Sequence, residues 1–158
     1  FDEYKEKAQE LYGERKEQKI REAVIEDHMN QYPFAPAQMI VTGGGHYRCF
    51  ETYNNQYFES DIETLRRLDN DLNDELNEDY NGYISLRDVY ERMGIPLKIG
   101  YDREGTTYSM DIADDLGFNN YSSGNRPHFI FSTHLAPDGV PCLAVSFENK
   151  PKPNFRRH

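Results

Sequence analysis

Three side chains of one segment, His128, Ser132 and His134, have the types and the even spacing that metal binding or nucleophilic catalysis would use. In a strand, residues two apart share a face, so all three project the same way. At ~3.3 Å per residue the two histidines lie roughly 20 Å apart, whereas each ligand of a zinc ion approaches it to ~2 Å. They cannot share an ion directly. Ser132 and His134 are close enough to touch, but such a pair acts as nucleophile and base only when a carboxylate orients the imidazole. None that would do so is identifiable nearby in the sequence, so the histidines read as ordinary surface or half-buried residues.

Other chemistry-bearing residues fail similar tests. Asp69, Asp71 and Asn73 imitate the first ligands of a calcium loop, but position six is Asp74 where the turn needs Gly, and position twelve is Tyr80 where it needs Glu. Leucines at helical spacing through the same stretch make it a solvated helix face instead. Gly43-Gly44-Gly45-His46 would let backbone amides turn toward an anion. No Lys-Ser or Lys-Thr follows, and a strand-like run comes next, so the triplet reads as a hairpin loop. Asp111, Asp114 and Asp115 cluster beside Gly117, and clustered acids in a polar loop are usually just hydrated. No metal site and no cofactor site is expected.

The elements that would position these residues follow from periodicity. Residues 1–31 predict a long charged helix with Phe1, Tyr4, Ala8 and Leu11, then Ile20, Val24 and Ile25, as two apolar sets. The polar stretch 13–19 between them has no face to bury, so this helix is expected to stand partly free of the body or to meet something absent. Strands are predicted at 39–42, 47–53 and 56–59. Ser60 with Glu63 reads as a capping box for a helix to about residue 79, with Ile62, Leu65, Leu68, Leu72 and Leu76 on one face. Ser85 with Asp88 opens a shorter helix that buries Leu86, Val89, Tyr90 and Met93 and stops at Gly94. Residues 98–126 read as loop, with a strand suggested only at 106–110. A hairpin of 128–134 and 140–147 turns at Ala136-Pro137-Asp138-Gly139. The Lys-Pro-Lys-Pro run at 150–153 favours an extended basic tail to residue 158. The fold class is α+β: an antiparallel sheet of hairpins packed by two helices, with a charged stalk at 1–31, a domain at 32–149 and the tail.

Composition narrows the function. A chain of 158 residues can bury one core without disulfides or metal, and twelve Tyr and nine Phe mean that rings carry much of it. The formal charge of −10 repels nucleic acid and anionic lipid. Residues 59–79 concentrate nine carboxylates against Arg66 and Arg67, a local net of −7. Cys49 and Cys142 sit in strand-like runs and read as two small buried residues. No apolar run spans a bilayer and no signal peptide precedes the domain, so the chain as given is expected to be soluble. It opens at Phe1, already inside a helical pattern, which suggests a piece of a longer protein.

Several segments in order carry a resemblance: Tyr83-Ile84-Ser85-Leu86-Arg87-Asp88-Val89-Tyr90 with Gly94-Ile95-Pro96-Leu97, then Asp114-Asp115-Leu116-Gly117-Phe118, then Pro137-Asp138-Gly139-Val140-Pro141-Cys142-Leu143. With Glu3-Tyr4-Lys5-Glu6-Lys7 and Gly13-Glu14-Arg15-Lys16-Glu17 upstream, the chain resembles an uncharacterised family of phage and prophage proteins of Gram-positive bacteria. The resemblance implies one or two hydrophobic segments before Phe1, with residues 1–31 as the stalk of a membrane-tethered domain. It implies no activity and no cofactor. Residues 100–125 are longer here than in that pattern.

The leading expectation is a non-enzymatic, phage-encoded interaction or structural module, at the virion or a host membrane surface, whose partner is another protein or a second copy. Partner contacts are expected from Arg15, Lys16 and Lys19 on the polar helix and from Phe155, Arg156 and Arg157 in the tail. The alternative for the tail is that it folds back on its own acidic helix. Two other functional classes remain: an acidic decoy that uses residues 59–79 against a basic nucleic-acid-binding protein, and a hydrolase that uses His46 or His128 with loop carboxylates.

Overall fold

The computed structural model describes residues 2–34, 47–78, 82–95, 115–121 and 123–156. The strands expected at 39–42 and 106–110, the Gly43-Gly44-Gly45-His46 loop, Asp111, Asp114 and Arg157 lie outside the described residues.

α1 (Asp2–Gln31) is one unbroken helix. Its side chains from residue 3 to 21 are exposed, and only Ile25 and Met29, four apart on one face, are buried. The apolar residues Tyr4, Leu11, Ile20 and Val24 therefore do not pack on the body; Tyr4 is 78% exposed. β1 (Tyr47–Glu51) and β2 (Gln56–Ser60) form an antiparallel hairpin. Its turn puts Asn55 at a φ of 54°, a left-handed conformation that asparagine tolerates.

α2 (Ile62–Glu78) begins one residue later than the sequence motif indicates. Asp61 caps it, its Oδ1 accepting from Thr64 N at 2.8 Å. Ser60 cannot serve, because it is buried and paired with Tyr47 in the β1–β2 ladder. Leu65, Leu72 and Leu76 are buried as their spacing requires. β3 (Tyr83–Ser85) leads into α3 (Leu86–Met93), where Ser85 Oγ accepts from Asp88 N at 3.1 Å and Gly94 closes the helix at a φ of 84°.

β4 (Leu116–Asn119) falls inside the stretch expected to be loop. Four residues interrupted by glycine carry too little alternation to announce a strand. It exists because β3 and β7 (Lys152–Pro153) pair on either side of it, in a second sheet ordered β3-β4-β7. β5 (Phe129–Leu135) and β6 (Pro141–Phe147) form the expected antiparallel hairpin. The main sheet is ordered β2-β1-β6-β5, and β1 runs parallel to β6, so the hairpins join into a mixed sheet where antiparallel pairing alone was expected.

Period-two alternation then sorts the main sheet into two faces. Cys49, Phe58 and Val145, with Phe129, face α2, α3 and the second sheet. Phe147 is the hub of the rings there, with centroids 5.1 Å from Phe118, 5.7 Å from Phe129 and 6.3 Å from Tyr90. Phe50, Tyr57, Cys142 and Ala144 face Ile25 and Met29 of α1.

The tail is extended but belongs to the fold. β7 pairs with β4, and Phe155 is 1% exposed, its ring edge-on to Tyr83 at 5.9 Å. Gly117 makes room for it, since a Cβ there would collide with the Phe155 ring and with Ile84 O. The tail thus docks on β4 and not on the acidic helix.

Candidate functional site

Phe129 and Phe131 point into the ring cluster, so alternation turns Ile130, Ser132 and His134 toward α1. Ser132 Oγ lies 2.8 Å from His134 Nε2. The carboxylate that the sequence did not supply nearby comes from α1: Glu26 Oε1 is 3.5 Å from His134 Nδ1. With the His134 side chain 3% exposed, Ser132 and Glu26 are the polar groups placed at its two ring nitrogens. With a proton on Nδ1, toward Glu26, Nε2 accepts from the Ser132 hydroxyl. Beside them a cavity of about 270 Å³ lies between α1 and β5, walled by Glu14, Glu17, Arg21 and Glu22 from the helix and by Ile130 and Ser132 from the strand.

Glu26 is placed by the docking of its helix. Ile25 and Met29 seat on Phe50, Tyr57, Cys142 and Ala144, and His28 Nδ1 lies 2.8 Å from Asn55 Oδ1 in the β1–β2 turn. Glu26 follows the buried Ile25 by one residue, which aims it at the β5 edge.

His128 belongs to a different construction. Its Nδ1 is 3.3 Å from Asp69 Oδ1, while Asp69 Oδ2 accepts from Phe129 N at 3.2 Å. Asn73 Nδ2 donates to Asp69 Oδ1 at 2.8 Å and to Pro127 O at 3.1 Å. Two residues of the apparent calcium motif thus latch helix α2 to the start of β5. His128 meets α2 and His134 meets α1, so the two histidines do not converge. Among the described residues no group of three or more His, Cys, Asp or Glu is arranged to hold a metal ion.

Glu51 carries no motif and was not singled out from the sequence, yet it is 1% exposed. Its carboxylate accepts from Tyr53 N at 2.7 Å, Asn54 N at 2.8 Å and Tyr90 Oη at 3.0 Å. Burial pushes its pKa up to about 7 against the pull of those donors, and Tyr90 beside it is raised well above its ordinary value, first by burial. An acid immediately before a Thr-Tyr-Asn-Asn turn was the available signal, since such a carboxylate can accept from the turn amides. Cys49 and Cys142 are free thiols on opposite faces of the sheet, each pushed up to about 12 by burial, so neither is a nucleophile near neutral pH.

Of the residues expected to meet a partner, Arg15, Lys16 and Lys19 are exposed on α1. Phe155 is not available, because its ring is buried in the second sheet. Arg156 is exposed, with its guanidinium 4.3 Å from the centre of that ring. No helix among the described residues is long and apolar enough to cross a membrane. No curated protein and no solved structure matches this chain. The model of a family of unknown function, DUF6353, matches residues 1–156, and the chain belongs to that family.

Proposed function

We propose that the chain is a phage-encoded interaction module that associates with a second copy of itself through the exposed part of α1. One observation carries the reading: every described side chain from residue 3 to 21 is exposed, although the same stripe is buried further along the helix. Tyr4, Ala8 and Leu11 are spaced four and three apart, Ile25 follows Leu11 by two heptads, and Met29 follows Ile25 by four. A stripe that seats the helix at one end thus continues without a partner at the other.

Charge selects the second copy and its direction. Residues 2–14 hold five carboxylates against two lysines, a net of −3, whereas residues 15–21 hold Arg15, Lys16, Lys19 and Arg21 against Glu17, a net of +3. Two α1 helices paired antiparallel lay acidic segment on basic segment, and parallel pairing opposes like charges. Hydrophobic segments preceding Phe1 would tether the module to a membrane of a Gram-positive host; without them it would be built into the virion.

Sedimentation of the chain over a range of concentrations tests the association. A dimer that weakens with added salt is expected, as is its loss in the triple variant Arg15→Glu, Lys16→Glu, Lys19→Glu at unchanged melting temperature. A monomer at every concentration overturns self-association. The full reading frame and its gene neighbours test the tether and the phage origin.

A further inference from the structure

Beyond the association role, we propose that Ser132, His134 and Glu26 form a nucleophile, base and orienting acid that hydrolyse small esters carrying a cationic group in the cavity between α1 and β5. The contacts run in the order such chemistry needs. Ser132 Oγ is 2.8 Å from His134 Nε2, and His134 Nδ1 is 3.5 Å from Glu26 Oε1. Burial of the imidazole keeps it in place, and Glu26 stands beside it with a side chain that is 62% exposed, so its pull on the ring is softened by solvent.

The backbone supplies a donor for the developing oxyanion. Glu148 N donates to His128 O at 2.7 Å and Ala136 N to Val140 O at 2.9 Å, which sets the phase of the β5–β6 ladder. Residues 130, 132 and 134 turn their amides to β6, so Thr133 turns its N–H away from β6, on the side where no strand among the described residues pairs. This is the amide that follows the nucleophile, a position from which an oxyanion can be met. Phe131 and Ser132, the two residues before Thr133, both line the cavity.

The walls choose the substrate. Three carboxylates, Glu14, Glu17 and Glu22, stand against the single guanidinium of Arg21, so a cationic group is favoured over an anionic one. A volume of about 270 Å³ is small for a ligand pocket and suits a short acyl group with a compact ammonium. In the reaction Ser132 Oγ bonds to the carbonyl carbon while its proton moves to His134 Nε2. The ester C–O bond then breaks, and the alcohol leaves with that proton. Water adds to the acyl-serine with His134 again taking the proton, the acid departs, and the proton returns to Ser132. Ester and water give acid and alcohol, with no other reactant.

Two measurements on the full chain decide it. A fluorophosphonate probe should label Ser132 stoichiometrically, as read by peptide mapping of the wild-type protein. Acetylcholine should be hydrolysed faster than its neutral isostere 3,3-dimethylbutyl acetate, with Ser132→Ala lowering the rate at least about 100-fold while the circular dichroism is unchanged. Glu26→Gln should lower kcat with little change in KM and alter the pH profile, which a purely structural contact would not do. Absence of label at Ser132, or turnover that survives Ser132→Ala, overturns the proposal, and equal rates on the two esters overturn the substrate class.

Discussion

On one face of the four-stranded sheet, Cys49, Phe58 and Val145 meet two helices and a second sheet, and Phe118, Phe129 and Tyr90 gather around Phe147. On the other face, Phe50, Tyr57, Cys142 and Ala144 meet the last turns of α1 and Phe34, and next to them Ser132 and His134 form a polar pair under Glu26. The first face joins elements from residue 49 to 147 into one dry cluster, so it carries most of the stability. The second is covered by the last turns of one helix, and a polar pair and a cavity lie there. The larger core and the polar pair thus lie on opposite sides of one sheet.

Substitutions on the ring-rich side should cost most. Phe155→Ala removes a buried ring from the second sheet and should destabilise by about 3–5 kcal/mol, and truncation before residue 150 should behave alike. A truncated chain of unchanged stability in urea would show that the tail is not part of that core. Leu72→Ala, at a site with no exposure, should cost about 2–5 kcal/mol, and a loss below about 1 kcal/mol would mean that α2 does not cover this face as described.

On the α1 side the cost is capped by the free energy of docking the helix. Ile25→Ala should therefore lower global stability by only about 1–3 kcal/mol while hydrogen exchange accelerates selectively in α1. Uniform acceleration across α2 and β6 would remove the distinction between the two faces.

Glu51 gives the most specific effect, one read as a slope against pH. Folding raises its pKa from 4.5 to about 7, so the fold favours the protonated acid. Its contribution is complete below about pH 4.5, is lost as pH rises to about 7, and changes no further above that. The slope is at most about 1.4 kcal/mol per pH unit. Chemical denaturation at several pH values should show it, and Glu51→Gln should flatten the profile; an unchanged slope in that variant would assign the titration elsewhere.

Local patterns in the sequence determined those elements whose cause is local. The leucine spacing of α2, the Ser85 cap with the Gly94 stop of α3, and the turn between β5 and β6 each depend on residues a few positions apart. The missed strand β4 depends on partners from residues 83–85 and 152–153, and the parallel β1–β6 pairing joins segments that no hairpin connects. The candidate site divides the same way. Alternation alone places Ser132 and His134 on one face, whereas Glu26 reaches them only because Ile25 and Met29 fit the small side chains Cys142 and Ala144. Phe155 looked like a free ring on a stiff basic tail, and Gly117 made it core. Spacing along the chain sets which side chains share a face, but which faces meet is set by packing complementarity between segments distant in sequence, and that exists only once the sheet has formed.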